Sequence, residues 1–138
     1  MAGLPGLPAG VRLLLDAHAL LWETTGDERL PGSVRTLIED PRSRLVLSVA
    51  TTWELTLKTL AGRLRLPEPP AAYFDGLIRD ARFEVLPVEQ RHVAVLQELP
   101  ELHDDPFDRM LVAQALVDDL VLVSGDERIR RYPVRTVW

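Results

Sequence analysis

The segment VRLLLD, residues 11–16, decides the fold class, because an apolar run broken only by Arg12 ends abruptly at an acid. Such a run is typical of a strand that is buried on both faces of a parallel sheet. The segment LVLVSGD, residues 120–126, has the same form. The carboxyl ends of parallel strands lie at one edge of a sheet, where ligands bind. We therefore expect Asp16 and Asp126 to lie close together at that edge.

Along the rest of the chain, short apolar runs alternate with helical patterns. Further strands are predicted at residues 45–47, 83–86 and 134–137, and helices at residues 17–24, 31–40, 49–60, 71–82, 88–99 and 107–118. This alternation predicts an α/β fold in which helices cover a mostly parallel central sheet. Residues 11–138 are expected to form a single domain, after a flexible tail at residues 1–10 that is rich in Gly and Pro.

Composition and charge exclude several classes of protein. With 16 basic and 21 acidic side chains the net charge is -5, which argues against binding to nucleic acid through bulk positive charge alone. The chain contains no Cys, so disulfide scaffolds, Cys-ligated zinc sites and Cys nucleophiles are excluded. No apolar run reaches the roughly 20 residues that a membrane span requires. The first residues also lack the pattern of a signal peptide, so we expect a cytoplasmic protein.

Four acidic side chains are candidates for a common site. Asp16 and Asp126 follow the two clearest strands, although each is also suited to cap the helix or turn that follows it. Glu54 lies among apolar neighbours in a predicted helix, and Asp108 lies in the first turn of another, where the helix dipole alone favours an acid. Oxygen ligands without a His or Cys cluster suit a hard divalent cation, Mg²⁺ or Mn²⁺. Such a cation supports phosphoryl chemistry.

Five aromatic side chains carry weaker expectations. His18 either contacts a substrate or packs against the fold, as a His so close to a strand end can do both. His92 is expected on the surface of an amphipathic helix, and His103 is expected to form hydrogen bonds within its own loop. Trp22 and Trp53 are expected in the core rather than as platforms for stacking bases.

Four segments, taken in order, form a recognisable pattern over about residues 11–138. They are LLDAHALLW at residues 14–22, SVATTWEL at 48–55 followed by Lys58 and GRLRLP at 62–67, HDDPFDR at 103–109 followed by VAQA at 112–115, and LVSGD at 122–126 followed by Tyr132 and Trp138. Together they resemble the motifs of PIN-domain ribonucleases, specifically the VapC-type toxins of bacterial toxin–antitoxin pairs. Each motif alone is weak, whereas the four in order are specific.

This resemblance implies a PIN-like three-layer α/β/α sandwich and a metal-dependent endoribonuclease. It implies that Asp16, Glu54, Asp108 and Asp126 are the catalytic acids and hold Mg²⁺ or Mn²⁺, with Asp105 close enough to compete with Asp108 as third ligand. The implied substrate is single-stranded or structured cellular RNA. The implied partners are a second copy of the chain, in a homodimer, and a VapB-type antitoxin in a hetero-oligomer.

Three further residues are expected to contact the substrate. Arg109 is a candidate for holding backbone phosphates, Ser124 matches a Ser/Thr position of the family beside the last acid, and His18 follows the first acid. Ala17 departs from the family, which commonly has Thr or Ser there, so a hydroxyl contact is missing.

Two alternative functions fit parts of the pattern. A PIN nuclease of RNA processing usually has additional domains, which we do not expect in 138 residues. A catalytically silent α/β binding module, such as a receiver-like domain with an acidic pocket, needs a Lys near the sheet edge. Lys58, the only Lys, lies one helical turn beyond Glu54 and fits that role poorly. The chain lacks the GxxxxGK loop of nucleotide hydrolases and the GxSxG motif of acyl hydrolases.

Overall fold

The computed structural model describes residues 7, 10–81 and 83–138, so the predicted tail lies almost wholly outside the described residues. The described part has five strands: β1 (Arg12–Leu15), β2 (Arg44–Ser48), β3 (Glu84–Leu86), β4 (Val121–Val123) and β5 (Thr136–Val137). It has six α-helices: α1 (Ala17–Thr25), α2 (Gly32–Glu39), α3 (Val49–Leu60), α4 (Pro70–Asp80), α5 (Gln90–Leu96) and α6 (Pro106–Asp118). A 3₁₀ turn covers Ile129–Arg131. Among these helices, none is long and apolar enough to cross a membrane.

All five strands run parallel in one sheet, in the order β3-β2-β1-β4-β5, which confirms the predicted α/β fold. The central strand is β1, where Leu14 pairs with Val46 of β2 on one side and with Leu122 of β4 on the other. Receiver-like domains have the strand order 2-1-3-4-5. The observed order therefore excludes a receiver-like domain.

The sheet is the middle layer of a three-layer α/β/α sandwich, as predicted. Because side chains alternate along a strand, Leu13 and Leu15 enter one core, which α1, α2 and α4 cover with Leu20, Ile38 and Phe74 among others. Leu14 points to the opposite face, where Leu111 and Val112 of α6 cover a second core. Burial on both faces explains why the sequence of β1 is continuously apolar rather than alternating.

One predicted helix is too long. Helix 88–99 was expected to reach Leu99, whereas α5 ends at Leu96. The carbonyl of Leu96 would need the N–H group of residue 100 to continue the helix, and Pro100 has none. Pro100 also disfavours helical geometry at Leu99, so the chain turns away before it.

The expectation that His92 lies on the surface is wrong, because this side chain is fully buried between α5 and α6. Its Nδ1 atom accepts a hydrogen bond from the backbone N–H of Glu89 at 3.0 Å, which closes a capping box at the start of α5. Its Nε2 atom lies 2.7 Å from Oδ2 of Asp118. His92 thus ties α5 to the end of α6, and a buried polar group with both nitrogens paired is well tolerated.

Candidate active site

The carboxyl ends of β1 and β4 open onto a cavity of about 400 Å³, which we call the acidic pocket. Its lining includes all four predicted carboxylates, Asp16, Glu54, Asp108 and Asp126, together with Ala17, His18, Lys58, His103, Asp104, Asp105 and Arg128. Strand ends and helix starts that are far apart in sequence meet here because the sheet is parallel. The expected clustering of these acids at one sheet edge is therefore present.

Asp16 caps α1 and faces the acidic pocket at the same time. Its Oδ1 atom accepts a hydrogen bond from the backbone N–H of Ala19 at 2.8 Å. Its own backbone N–H donates to the carbonyl of Val123 at 3.1 Å, which holds it beside the end of β4. Burial raises the pKa of Asp16, and hydrogen bonds from Ser124 and from the Ala19 N–H only partly offset this effect. The capping and site interpretations are compatible, since a carboxylate has more than one acceptor position.

Asp105 and Asp108, the two candidates for the third metal ligand, have different contacts. Asp105 caps α6, as its Oδ1 atom accepts hydrogen bonds from the backbone N–H groups of Phe107 at 2.8 Å and Asp108 at 3.1 Å. The Asp108 side chain instead faces the other acids. Burial, followed by the charges of Asp105, Glu54, Asp16 and Asp126, raises the pKa of Asp108 to about 8. This geometry favours Asp108 over Asp105 as a ligand.

Glu54 is buried in the wall of the acidic pocket and contacts the only Lys of the chain. Its Oε2 atom accepts a hydrogen bond from Nζ of Lys58 at 2.7 Å. Its Oε1 atom is buried and has no hydrogen-bond partner among the described residues. Lys58 therefore does lie at the acidic pocket, contrary to expectation, because the i,i+4 spacing along α3 places both side chains on one face.

His103 contacts two of the acids and is a site residue that the sequence analysis missed. Its Nε2 atom lies 3.1 Å from Oδ2 of Asp108 and 3.1 Å from Oδ2 of Asp126. Its Nδ1 atom accepts a hydrogen bond from the backbone N–H of Asp105 at 3.1 Å. A neutral imidazole that accepts at Nδ1 carries its proton at Nε2. His103 is thus a hydrogen-bond donor to the carboxylates rather than a free ligand.

Asp126 is the acid whose contacts favour the charged form. Burial alone would raise its pKa, but hydrogen bonds from the backbone N–H of Arg128 and from His103 outweigh burial and lower the pKa. The pKa values of Asp126 and Asp108 are therefore shifted in opposite directions, a pattern that is common where two carboxyl groups have different tasks. The sequence did contain a signal that His103 belongs to the site, because His103 directly precedes the acids of the HDDPFDR motif.

The three predicted substrate-contacting residues lie in different settings. His18 is exposed and lines the acidic pocket. Ser124 is fully buried and lies behind the acids, where its Oγ atom accepts the backbone N–H of Asp126 at 3.1 Å. Arg109 lies outside the lining of the pocket, and its guanidinium donates to the carbonyls of Pro100 and Leu96 and to the hydroxyl of Tyr132. It therefore ties loop segments together.

Arg128, which was not among the predicted site residues, lines the acidic pocket with Nε 3.9 Å from Oδ1 of Asp126.

The two tryptophans expected in the core are less buried than predicted. Trp53 is 60% exposed. Helix α3 buries Glu54 and Leu55 and so turns Trp53 outward, where it packs edge-on against Phe107 at 5.0 Å between ring centres. Trp22 is half-buried against the core.

The acidic pocket fits a hard divalent cation. Four carboxylates converge there, and burial, followed by repulsion from the neighbouring acids, raises the pKa of Asp108 to about 8. The unpartnered Oε1 atom of Glu54 is a buried acceptor that lacks a donor among the described residues. A cation with its bound water would reduce the repulsion and give this atom a donor, and oxygen ligands suit Mg²⁺ or Mn²⁺.

Comparisons with known proteins agree with this architecture. The model of the PIN domain family matches residues 13–135. Ribonuclease VapC16 of Mycobacterium tuberculosis is 33% identical over 60 residues, which are 44% of this chain and 43% of that protein. The aligned segment thus spans less than half of the curated relative.

Solved structures show the same fold at low sequence identity. VapBC2 from Rickettsia felis, bound to a DNA fragment from its promoter, superposes with a TM-score of 0.67 and 15% identity, over 93% of this chain and 99% of that chain. DNA-bound VapBC from Salmonella typhimurium superposes with a TM-score of 0.64 and 21% identity, over 92% of this chain and 97% of that chain. FitAcB from Neisseria gonorrhoeae superposes with a TM-score of 0.62 and 19% identity, over 91% of this chain and 96% of that chain. With the family model matched over nearly the whole described domain, this chain belongs to the PIN-domain family.

Proposed function

We propose that this protein is a metal-dependent endoribonuclease that cleaves single-stranded or structured RNA as the toxin of a toxin–antitoxin module. The observation that carries the proposal is the convergence of Asp16, Glu54, Asp108 and Asp126 in one open pocket of a PIN domain. The similarity to a VapC ribonuclease and to VapBC complexes supports both the nuclease and the toxin role.

In this proposal Asp16, Asp108 and Asp126 hold Mg²⁺ or Mn²⁺, either directly or through water. When bound, the cation lowers the pKa of a water molecule and offsets the charge that develops on the scissile phosphate. The Oε1 atom of Glu54 has no competing donor among the described residues, so it orients the attacking water or accepts its proton. Lys58 holds the other oxygen of Glu54 in place.

Other side chains position these acids or the RNA backbone. His103 donates to the carboxylates from Nε2, which keeps Asp126 in its charged form. Arg128 lies at the rim of the acidic pocket and is 54% exposed, so its guanidinium is available to a phosphate. The guanidinium of Arg109 donates to groups of the protein itself, so Arg109 supports the loops around α6 rather than contacting the RNA.

We also propose that a VapB-type antitoxin inhibits the protein in the cytoplasm, within a hetero-oligomer that contains a toxin dimer. A pocket with four acids, on a protein of net charge -5, is complementary to a cationic side chain. We expect the antitoxin to insert an Arg or Lys among these acids and to crowd the cation. Single replacements of the basic residues in the antitoxin tail test this, and full inhibition by every variant would contradict it.

The decisive experiment is turnover of a labelled single-stranded RNA with Mg²⁺, with Mn²⁺ and with chelator. Wild type should cleave only with metal, while Asp16→Asn and Asp108→Asn should lose cleavage and keep the fold. The matched control is Asp75→Asn, which removes an exposed carboxylate of α4 that does not line the acidic pocket. RNA that is bound but never cut would instead indicate a silent binding module, and full activity of Asp16→Asn would contradict the assignment.

A further inference from the structure

A second cavity, of about 380 Å³, lies beside the acidic pocket and is not explained by metal chemistry. We call it the aromatic pocket. Trp22, Arg29, Gly125 and Trp138 line it alone, and it shares Asp16, His18 and Asp126 with the acidic pocket. The two cavities are therefore neighbours at the same sheet edge. A chain molecule bound in one of them therefore has room to extend into the other.

Three rings form the walls of the aromatic pocket. His18 stacks on Trp22 with ring centres 5.4 Å apart and planes inclined by 19°. Trp22 meets Trp138 at 5.8 Å with planes inclined by 48°. Neither indole is sealed in the core, since Trp22 and Trp138 are both only half-buried. Rings that remain accessible beside an open cavity are typical of stacking sites for bases.

The position of Trp138 depends on a glycine next to a catalytic acid. A Cβ atom at Gly125 would lie 2.3 Å from the indole ring of Trp138, so only glycine permits this approach. The indole therefore packs directly on the backbone that leads from β4 to Asp126. This contact fixes one wall of the aromatic pocket relative to the acids.

The aromatic pocket also contains a fixed positive charge. The guanidinium of Arg29 lies 4.8 Å from the ring centre of Trp22. Asp27 orients it by accepting hydrogen bonds from Nε at 3.1 Å and from Nη2 at 2.7 Å. The Nη1 atom has no hydrogen-bond partner in the part of the chain that the structure describes, and the Arg29 side chain is 68% exposed. A guanidinium held this way can donate to a phosphate.

We propose that the aromatic pocket is a nucleobase subsite. It takes the base of the nucleotide next to the scissile phosphate, against the rings of His18, Trp22 and Trp138, while Arg29 contacts the adjoining backbone phosphate. The proposal rests on the proposed nuclease function for its substrate class. Because a base must leave its helical stack to enter such a pocket, the subsite selects RNA that is unpaired at the cleavage point.

Photo-crosslinking tests the subsite without any need for cleavage. A short RNA that contains 4-thiouridine is bound in Ca²⁺, irradiated, and the attached peptide is identified by mass spectrometry. We expect attachment at Trp22, Trp138 or His18. Trp53, the third Trp of the chain, is 60% exposed and serves as an internal control. Attachment confined to Trp53, or spread evenly over the surface, would overturn the proposal.

Affinity for the same RNA, measured by fluorescence anisotropy, provides a second test with a matched control. Arg42 and Asp40 reproduce the Arg29–Asp27 pair almost atom for atom, at 3.1 and 2.8 Å, with the same 68% exposure of the arginine. Arg42, however, lines neither pocket. We expect His18→Ala and Trp22→Leu each to raise Kd about 10-fold, the scale of one lost base contact. Arg29→Gln should raise it by about the same factor through the lost phosphate contact, and Arg42→Gln should leave it unchanged. Equal effects of the two arginine variants would overturn the phosphate contact.

The outcomes separate this proposal from the nuclease function. Cleavage by wild type that persists with unchanged KM in all three pocket variants overturns the subsite and leaves the nuclease intact. Base-dependent crosslinking and weakened binding, without cleavage in Mg²⁺ or Mn²⁺, support the subsite and overturn the nuclease. A wild-type protein that binds no RNA overturns both. His18→Ala and Arg29→Gln alter exposed side chains, so the test does not depend on whether Trp22→Leu folds.

Discussion

Nε2 of His103 lies 3.1 Å from Oδ2 of Asp126, and the opposite ring nitrogen is occupied by the backbone N–H of Asp105. The loop that precedes α6 therefore sets the tautomer of the imidazole and aims its proton at the acids. In this way one side chain holds α6, which supplies Asp108, to the loop after β4, which supplies Asp126.

Replacement of His103 by Ala should therefore weaken catalysis without unfolding the protein. The loss of the Nε2 donor should raise the pKa of Asp126 and reduce cleavage by about 10- to 100-fold, as for other residues that orient metal ligands. His103→Gln, which keeps a donor, should restore part of the activity. NMR titration of the Asp126 carboxyl carbon checks the cause. An unchanged titration curve alongside lost activity would contradict the positioning role.

Asp16→Asn should separate metal binding from stability. Asn caps helices about as well as Asp, and the substitution removes a buried charge whose pKa is already raised by burial. The metal-free variant should thus melt at or above the wild-type temperature. Wild type, by contrast, should gain about 1.4 kcal/mol at ten times the dissociation constant of Mn²⁺, which is about 3–6 °C for a domain of this size.

Thermal melts with and without Mn²⁺ measure both effects for Asp16→Asn. The variant should gain less from the metal than wild type or Asp75→Asn. A variant that melts well below wild type without metal, yet responds equally to Mn²⁺, would mean that Asp16 is a structural cap and that the metal binds elsewhere.

Glu39→Gln should reduce the dependence of stability on pH. Burial, followed by the hydrogen bond and charge of Glu39, raises the pKa of Glu23 from 4.5 to about 7 in the folded protein. A carboxyl group that binds its proton more tightly when folded stabilises the protein at low pH, and this contribution is lost as pH rises from about 4.5 to about 7. Removing the Glu39 charge lowers the folded pKa of Glu23, so less stability is lost over that range.

The measurement for Glu39→Gln is the fall in melting temperature across that pH range, compared with wild type. Asp16 and Asp108 also have raised pKa values, but they are common to both proteins and cancel in the difference. Glu28→Gln, which alters an exposed side chain between α1 and α2, is the control and should match wild type. Identical pH profiles for all three proteins would refute the coupling.

Gln114→Leu should destabilise the junction between α6 and the ends of β2 and β3. The fully buried amide accepts the hydroxyl of Ser48 at 2.6 Å and donates to the carbonyl of Pro87 at 3.2 Å, which joins α6 to the ends of β2 and β3. Leu leaves the hydroxyl proton of the fully buried Ser48 without its acceptor, so the free energy of unfolding should fall by about 1–3 kcal/mol. Urea denaturation measures the change. Gln90→Leu, at an exposed position, should have little effect, and equal stability of all three proteins would contradict the argument.

The α/β class, the order of the eleven strands and α-helices and the four carboxylates could all be predicted from local patterns. A strand buried on both faces is mostly apolar, and an acid just beyond its end lies at the sheet edge. The run before Asp16 and the run three residues before Asp126 therefore predicted both the fold class and the edge where the acids meet. The end of α5 was missed, although Pro100 was a local signal for it.

The remaining features depend on contacts between residues distant in sequence, which no local pattern encodes. His92 is buried only because α6 brings Asp118 to it, and His103 belongs to the acidic pocket only because β4 delivers Asp126 beside its loop. The strand order, the outward turn of Trp53 and the meeting of Trp22 with Trp138 have the same origin. Hydrophobic periodicity tells which face of an element is buried, but the packing of whole layers decides which neighbours that face meets.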